Sequence, residues 1–306
     1  MLFAGKVCYI LSMEIFLYYF FIFIAGACIG SFLNVVADRI INGEPIVNDR
    51  SRCDSCKNVL SPKNLIPLLS FIWQKGKCVH CGAKLSVFYP ISEILTGLLF
   101  VFAFYALGIF NVRTQIIQVV QLVYILIIFS LYVILIMADA KYQLVPDVII
   151  YIALACVVIF TLGFKTYDVW SIYDRFQTQE LGKYMIKAGY LTEQIKYSLR
   201  DVAFDWGSAA VIAFFFWVLV KLTKERGMGY GDINLGLLIG IFNGFPANFL
   251  ALFLGFVLGS VFSVFLIVLK RKTMKDTIAF GPFLLLGSLV AFGWGDVILR
   301  WYLSIF

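Results

Sequence analysis

The chain has 306 residues, of which 62% are hydrophobic and 14% charged, and its formal net charge is +7. A soluble globular domain rarely has so apolar a composition, and several apolar runs approach or exceed the ~20 residues that cross a bilayer as a helix. These runs do not alternate apolar and polar residues, which excludes a transmembrane β-barrel. In such a chain the basic residues report orientation rather than nucleic-acid binding. The sequence predicts an all-α polytopic membrane protein, with the lipid bilayer as a partner and no nucleic acid.

Apolar runs predict eight helices in chain order. They are Ile15 to Val36, Pro90 to Phe110, Gln115 to Ala138, Asp147 to Phe164, Val202 to Leu222, Ile233 to Phe242, Ala247 to Leu269 and Ile278 to Tyr302. The sixth is too short to span comfortably, so we expect it to be tilted or broken. Of the two large hydrophilic segments, we assign no chemistry to 165–201. The other divides the chain into a first transmembrane helix over 1–37, a module over 38–88 and a second transmembrane region over 89–306.

The distribution of basic residues predicts the orientation. If the amino terminus lies outside, most of the 25 Lys and Arg residues fall on the cytoplasmic side. Basic residues collect in cytoplasmic loops of membrane proteins. We therefore expect an external amino terminus and a cytoplasmic 38–88 module.

Four cysteines of this module form two C-x-x-C pairs, "CDSC" with Cys53 and Cys56 and "CVHC" with Cys78 and Cys81. The spacing is close to that of a zinc ribbon. Four thiolates complete a tetrahedral site and leave no position for a substrate water, so the zinc would be structural. The alternative is free or disulfide-bonded thiols, and a reducing cytoplasm disfavours disulfides. His80, the only histidine, is expected in solvent because four cysteines already suffice.

Two aspartates, Asp139 and Asp232, are predicted at one membrane face, because two spans separate them and an even number of crossings returns the chain to the same side. Carboxylates at membrane depth are functional candidates. When two carboxylates lie close together, one stays protonated while the other activates water, as in aspartic proteases. Gly229 and Gly231 stand before Asp232, where we expect them to adopt conformations closed to other residues and to admit an extended substrate.

A proline and a second acidic residue follow Asp139. Pro146 is expected to break the helix, which leaves local backbone able to bind the same substrate. The alternative is that "GMGYGD" is a turn between helices and that Asp232 caps the next one. Asp147 fits such a cap better still, since it follows a proline and starts a span.

Taken together, these motifs resemble the bacterial type IV prepilin peptidases, a family of GxGD aspartic membrane proteases. The GxGD element is "GYGD", ending at Asp232, and the other element is Asp139 followed by Pro146 and Asp147. The stretches "GSFLNVVADRI", "IPLLSFI", "YPISEILTG" and "FGPFLLLG" also match, in the family's order. The resemblance covers most of 30–287.

The resemblance implies an enzyme with two activities. One is an aspartic endopeptidase that removes the short basic leader of prepilins or pseudopilins at the cytoplasmic face of the bacterial inner membrane. The other is an N-methyltransferase that uses S-adenosylmethionine to methylate the new amino terminus, commonly phenylalanine. Asp139 and Asp232 would be the catalytic pair and 89–306 the protease domain. The four cysteines would match the family's cytoplasmic motif, which is associated with methylation.

Two further polar residues, Asn34 and Glu93, are predicted near the cytoplasmic ends of the first two helices. Either they bind the methyl donor or the substrate's amino terminus, or they are polar groups at a helix interface or charges at a helix end. The sequence leaves both interpretations open.

Two other functions compete with this prediction. A cation transporter or channel would use the aspartates to bind ions, but the sequence shows no paired halves and transport needs no cysteine module. A presenilin-like intramembrane protease would share the GxGD element, but the chain has no Pro-Ala-Leu motif.

Overall fold

The computed structural model describes residues 2–46, 50–53, 55–108, 116–224, 228–271, 273 and 278–305, with the backbone alone for 2–13. Within this part the chain is helical apart from turns and two isolated antiparallel bridges, Arg52 with Val59 and Lys77 with Lys84. It divides into two compact units, Met1–Pro146 and Asp147–Phe306.

Ten α-helices and one 3₁₀ turn make up the described residues. They are α1 (Leu2–Asn42), the 3₁₀ turn (Pro62–Leu65), α2 (Leu69–Trp73), α3 (Phe88–Ala106), α4 (Ile116–Tyr142), α5 (Asp147–Thr178), α6 (Glu180–Lys187), α7 (Tyr190–Thr223), α8 (Tyr230–Asn243), α9 (Ala247–Val268) and α10 (Gly281–Leu303).

All eight predicted helices are present, and seven of the described helices are long and apolar enough to cross a membrane. The eighth, α8, has 14 residues, which corresponds to a length of about 21 Å. It is the helix that the sequence predicted to be too short. Phe110 and Gln115, where the second predicted helix ends and the third begins, lie outside the described residues.

In the first unit, α1, α3 and α4 pack around one core, whose fully buried members include Ile128, Phe129 and Tyr132 of α4. Helices α1 and α3 approach closely, because a Cβ atom built at Gly26 would lie 2.8 Å from the Cα of Gly97. The 38–88 module leaves the end of α1 and returns at the start of α3.

In the second unit, α8 packs against α7 and α9 against α10. A Cβ atom at Gly240 would lie 2.7 Å from the Cα of Ala209, and one at Gly255 would lie 2.9 Å from the Cα of Leu284. Helices α5 and α7 have 32 and 34 residues, well beyond the ~20 that a membrane requires. The hydrophilic segment 165–201 is therefore largely helical and lengthens both of them.

Candidate functional site

The two C-x-x-C pairs fold into equivalent turns, which we call knuckles. In the first, the amide of Cys53 donates to the carbonyl of Asn58 at 3.0 Å, and Lys57 donates back to the Cys53 carbonyl at 2.8 Å. In the second, Cys78 donates to Ala83 at 2.8 Å, and Gly82 donates to the Cys78 carbonyl at 2.9 Å. The fifth residue of each knuckle has a positive φ, 57° at Lys57 and 70° at Gly82. The same backbone turn therefore presents each pair of thiols.

The knuckles bring all four thiols together. The sulfur atoms of Cys53, Cys56, Cys78 and Cys81 lie within 4.8 Å of one another, and the Cys53–Cys81 separation is 3.9 Å. A tetrahedral zinc with sulfur ligands at ~2.3 Å places the sulfurs about 3.8 Å apart. The donor set therefore fits zinc, and the six cysteines whose side chains are described form no disulfides.

One thiol is already disposed to ionise. The amide groups of Cys81 and then His80 donate to the sulfur of Cys78, and these hydrogen bonds lower the pKa of the Cys78 thiol to about 6. A thiolate is the form that binds a metal. His80 itself is exposed, as the sequence predicted.

Asp139 lies in the last turn of α4 and is 6% exposed. The two residues that end this helix bind the first helix of the same unit. The Lys141 ammonium lies 2.7 Å from the carboxylate of Asp38, and the Tyr142 hydroxyl donates to the same oxygen at 2.9 Å. These two contacts therefore hold the turn of α4 that carries Asp139 against α1.

Asp232 lies in the first turn of α8, where its carboxylate accepts a hydrogen bond from the amide of Gly229 at 3.2 Å. The alternative interpretation expected Asp232 to cap this helix; Gly229 is the N-cap residue, and Asp232, the third residue of α8, bonds back to its amide. A carboxylate has two oxygens and about four acceptor sites, so one such bond leaves acceptor capacity for other partners.

Gly229 and Gly231 do not adopt the conformations closed to other residues that the sequence predicted. Gly229 has φ −88° and ψ 165°, an extended conformation that any residue adopts, and Gly231 lies within α8. Neither is among the residues with a positive φ. Gly229 does have open space beside it, since an added Cβ atom would meet only the backbone nitrogen of Gly231, at 4.0 Å.

Pro146 follows the end of α4, and Asp147 is the first residue of α5, as expected for a helix break and a helix start. Pro146 also ends the first unit and Asp147 begins the second. Asp139 and Asp232 thus belong to different units, and their pairing stays a prediction.

Asn34 and Glu93 are both buried, but they have different environments. The Asn34 amide donates to the hydroxyl of Ser92 and, at 3.4 Å, to the carbonyl of Tyr89, so it joins α1 to α3. The Glu93 carboxylate accepts from the amide of Leu68 at 2.8 Å and also lines a cavity of about 420 Å³. Asn34 has the contacts of an interface group, whereas Glu93 borders space that a ligand can fill.

Sequence reasoning missed the contacts of Asp38 and Arg39. Arg39 is buried and donates to the carbonyls of Pro45 and Ile46, at 3.2 and 2.7 Å, which holds the chain where it leaves α1. A charged pair at the end of an apolar helix was visible in the sequence, but its partners were not.

Comparison with known proteins finds the family that the cysteine and aspartate motifs indicate. Residues 24–107 match the model of the bacterial peptidase A24 N-terminal domain, and residues 124–264 match that of the type IV leader peptidase family. A prepilin leader peptidase/N-methyltransferase of Aeromonas salmonicida is 30% identical over 94% of this chain and 94% of its own length. The protein of that name from Bacillus subtilis is 28% identical over 92% of this chain and 97% of its own.

A shorter match is closer in sequence: a prepilin leader peptidase/N-methyltransferase of Myxococcus xanthus is 50% identical over 80 residues, or 26% of this chain and 24% of its own. No solved structure matches the chain significantly. Both parts of the chain that carry the cysteine and aspartate motifs thus fall within matched regions, and the chain belongs to the type IV leader peptidase family.

Proposed function

We propose that this protein cleaves the leader peptide of prepilins or pseudopilins and then methylates the new amino terminus with S-adenosylmethionine. The observation that supports this most is the alignment of nearly the whole chain with proteins named for both activities. Seven candidate spans support a multi-pass protein of the bacterial inner membrane. The positions of the basic residues favour an active site that faces the cytoplasm.

The proposed protease uses Asp139 and Asp232 as a pair. The ionised carboxylate takes a proton from water, and the resulting hydroxide attacks the scissile carbonyl. The protonated carboxyl group donates to the carbonyl oxygen and, as the tetrahedral intermediate collapses, a proton passes to the leaving amine. In this proposal, substrate backbone lies beside Gly229, where an added Cβ atom would have no close contact, and beside Gly231 and the irregular backbone at Pro146.

The proposed methyltransferase belongs to the first unit. S-adenosylmethionine supplies an electrophilic methyl group to the free amine. Cys53, Cys56, Cys78 and Cys81 would hold a structural zinc, which would stabilise a module too small to build a large core of its own. Asn34 fixes α1 against α3, and Glu93 offers a negative charge within the cavity.

One experiment tests both activities. The membrane-embedded protein is incubated with a prepilin and labelled S-adenosylmethionine, and the product mass is determined. The parent should release a product that lacks the leader and carries one methyl group. Asp139→Ala and Asp232→Ala should each lower cleavage by orders of magnitude, because base and proton donor act as a unit. Asp147→Asn, at an exposed helix start, is the matched control, and robust cleavage by either alanine variant would contradict the pairing.

A further inference from the structure

A cavity of the first unit lies beneath the first knuckle. Its volume is about 420 Å³, within the range of small-molecule sites. Helix α1, the start of α3 and the 38–88 module each form a wall. Most of the lining is apolar and includes Phe32, Val35, Leu65, Phe71 and Leu85.

A buried carboxylate stands in this apolar lining. Glu93 is 6% exposed, and its hydrogen bond from the amide of Leu68 is 2.8 Å long. No Lys or Arg of the described residues forms an ion pair with it. A buried charge without an opposite charge is unfavourable, so the cavity is suited to a ligand that brings a positive charge.

The rest of the lining specifies the ligand further. Phe32, Phe71 and Tyr89 provide aromatic surface for an organic cation with an apolar body. Arg52 lines the same cavity and complements a carboxylate, whereas the guanidinium of Arg39 donates to backbone carbonyls of the module. The lining therefore suits an organic cation that also carries a carboxylate and an aromatic ring system.

We propose that this cavity binds S-adenosylmethionine and that the Glu93 carboxylate balances the charge of its sulfonium. The proposal rests on the proposed methyltransferase function and adds the residue that distinguishes the donor from its product. S-adenosylhomocysteine keeps the amino acid and the adenosine but has a neutral sulfur. Glu93 would thus favour the donor and help the product to leave.

Binding tests the proposal without turnover. Isothermal titration of the full chain in nanodiscs compares S-adenosylmethionine with S-adenosylhomocysteine. The parent should bind the donor at least about tenfold more tightly than the product, and Glu93→Gln should remove most of this preference, since a charge-assisted contact contributes more than about 1.4 kcal/mol. Glu44→Gln, an exposed carboxylate of the same module that does not line the cavity, should bind as the parent does.

Two further measurements keep the outcome unambiguous. Zinc content and thermal unfolding show whether Glu93→Gln folds; if it does not, Leu65→Trp, which fills the cavity and leaves the carboxylate and its hydrogen bonds in place, should abolish binding of the donor. Unchanged donor binding in a folded Glu93→Gln protein would overturn the proposal. So would a variant that keeps donor affinity but has a raised KM for a peptide with a free amino terminus, because Glu93 would then serve the amine. A parent that never methylates a cleaved peptide would instead contradict the proposed function.

Discussion

Asp38 binds both residues that end α4, Lys141 at 2.7 Å and Tyr142 at 2.9 Å, and so holds the helical turn that carries Asp139. The side chains of the ion pair are 24% and 21% exposed, so we expect them to contribute only about 0–1 kcal/mol to the free energy of unfolding. Their effect on catalysis should be larger, since displacement of a reacting group by about 1 Å can lower a rate by about 100-fold.

Asp38→Ala should therefore lower kcat for leader cleavage by about tenfold, with little change in the thermal midpoint or in KM. Lys141→Met should lower kcat less, because the Tyr142 hydroxyl still donates to Asp38. The double variant should be no worse than Asp38→Ala, because that substitution already removes both contacts. Asp201→Ala is a matched control, since it removes an ion pair of similar exposure with Lys165 in the other unit. Equal losses in Asp38→Ala and Asp201→Ala would argue against a local role.

The size of the side chain introduced at Gly231 should determine the rate of leader cleavage. Gly231→Val should impair cleavage more than Gly231→Ala, because the branched side chain is larger and stiffer than one methyl group and occupies the space proposed for the peptide. The measurement is the initial rate of leader removal at matched abundance in the membrane. A valine variant as fast as the parent would show that the peptide does not approach there.

Residues of the site differ in how far the sequence could predict them. The four cysteines were predictable because each pair is local and one repeated backbone turn presents it. The contact between Asp38 and Lys141 was not predictable, because the two residues are 103 positions apart and only the packing of α4 on α1 brings them together. The role of the two glycines stays a prediction, and the special backbone conformation expected of them was wrong because α8 begins early enough to include Gly231.

In the first unit, the packing of α1 against α3 depends on small residues. A Cβ atom at Gly26 would lie 2.8 Å from the Cα of Gly97 and 2.9 Å from the carbonyl oxygen of Thr96. Backbone atoms cannot give way as a flexible side chain does. The small-xxx-small spacing of Gly26 and Gly30 is the sequence pattern for such an approach.

Gly26→Ala should therefore lower the free energy of unfolding by about 1–3 kcal/mol, the usual result of overpacking. Since both activities depend on the same fold, the ratio of cleavage to methylation should stay roughly constant. Gly163→Ala in α5, where nothing lies within 4 Å of the added atom, should be neutral or stabilising because alanine favours helix. Thermal unfolding in a fixed detergent compares the two, and equal stability would contradict the close packing.

The fold of the 38–88 module should depend on bound zinc. The purified protein should contain about one zinc per chain, and Cys53→Ser should lose it and make the 38–88 module sensitive to protease, because metal binding is coupled to folding in so small a segment. Leader cleavage should fall less than in Asp139→Ala, since zinc holds a fold rather than a reacting atom. Metal analysis of freshly reduced protein is the measurement, and absence of zinc there would refute the assignment.

At the scale of the whole molecule, the helix positions were predictable because apolar runs of membrane length leave few alternatives. The additional length of α5 and α7 was not, since their polar turns beyond Phe164 and before Val202 resemble a loop in composition.

Orientation of the whole molecule can be tested with a thiol reagent that does not cross membranes. A cysteine introduced at the exposed Lys187, in α6, should react in intact cells, whereas one introduced at the exposed Glu44 should react only after permeabilisation. The expected difference follows from the excess of basic residues on the cytoplasmic side. The reverse pattern would place the proposed active site outside.

The length of α8 has a consequence for how a substrate reaches Asp232. A helix of 14 residues is about 9 Å shorter than a hydrocarbon layer of ~30 Å. Lipid cannot fill the difference, because the backbone groups beyond the helix ends need polar partners. Such backbone has to be covered by protein or line a water-filled cavity. We expect the end of α8 that carries Asp232 to line such a cavity, whose depth would set where along a membrane-anchored substrate the hydrolysis occurs. The enzyme would then select its bond by distance from the bilayer as well as by side chain, so that a residue inserted between leader and apolar segment would shift the cut.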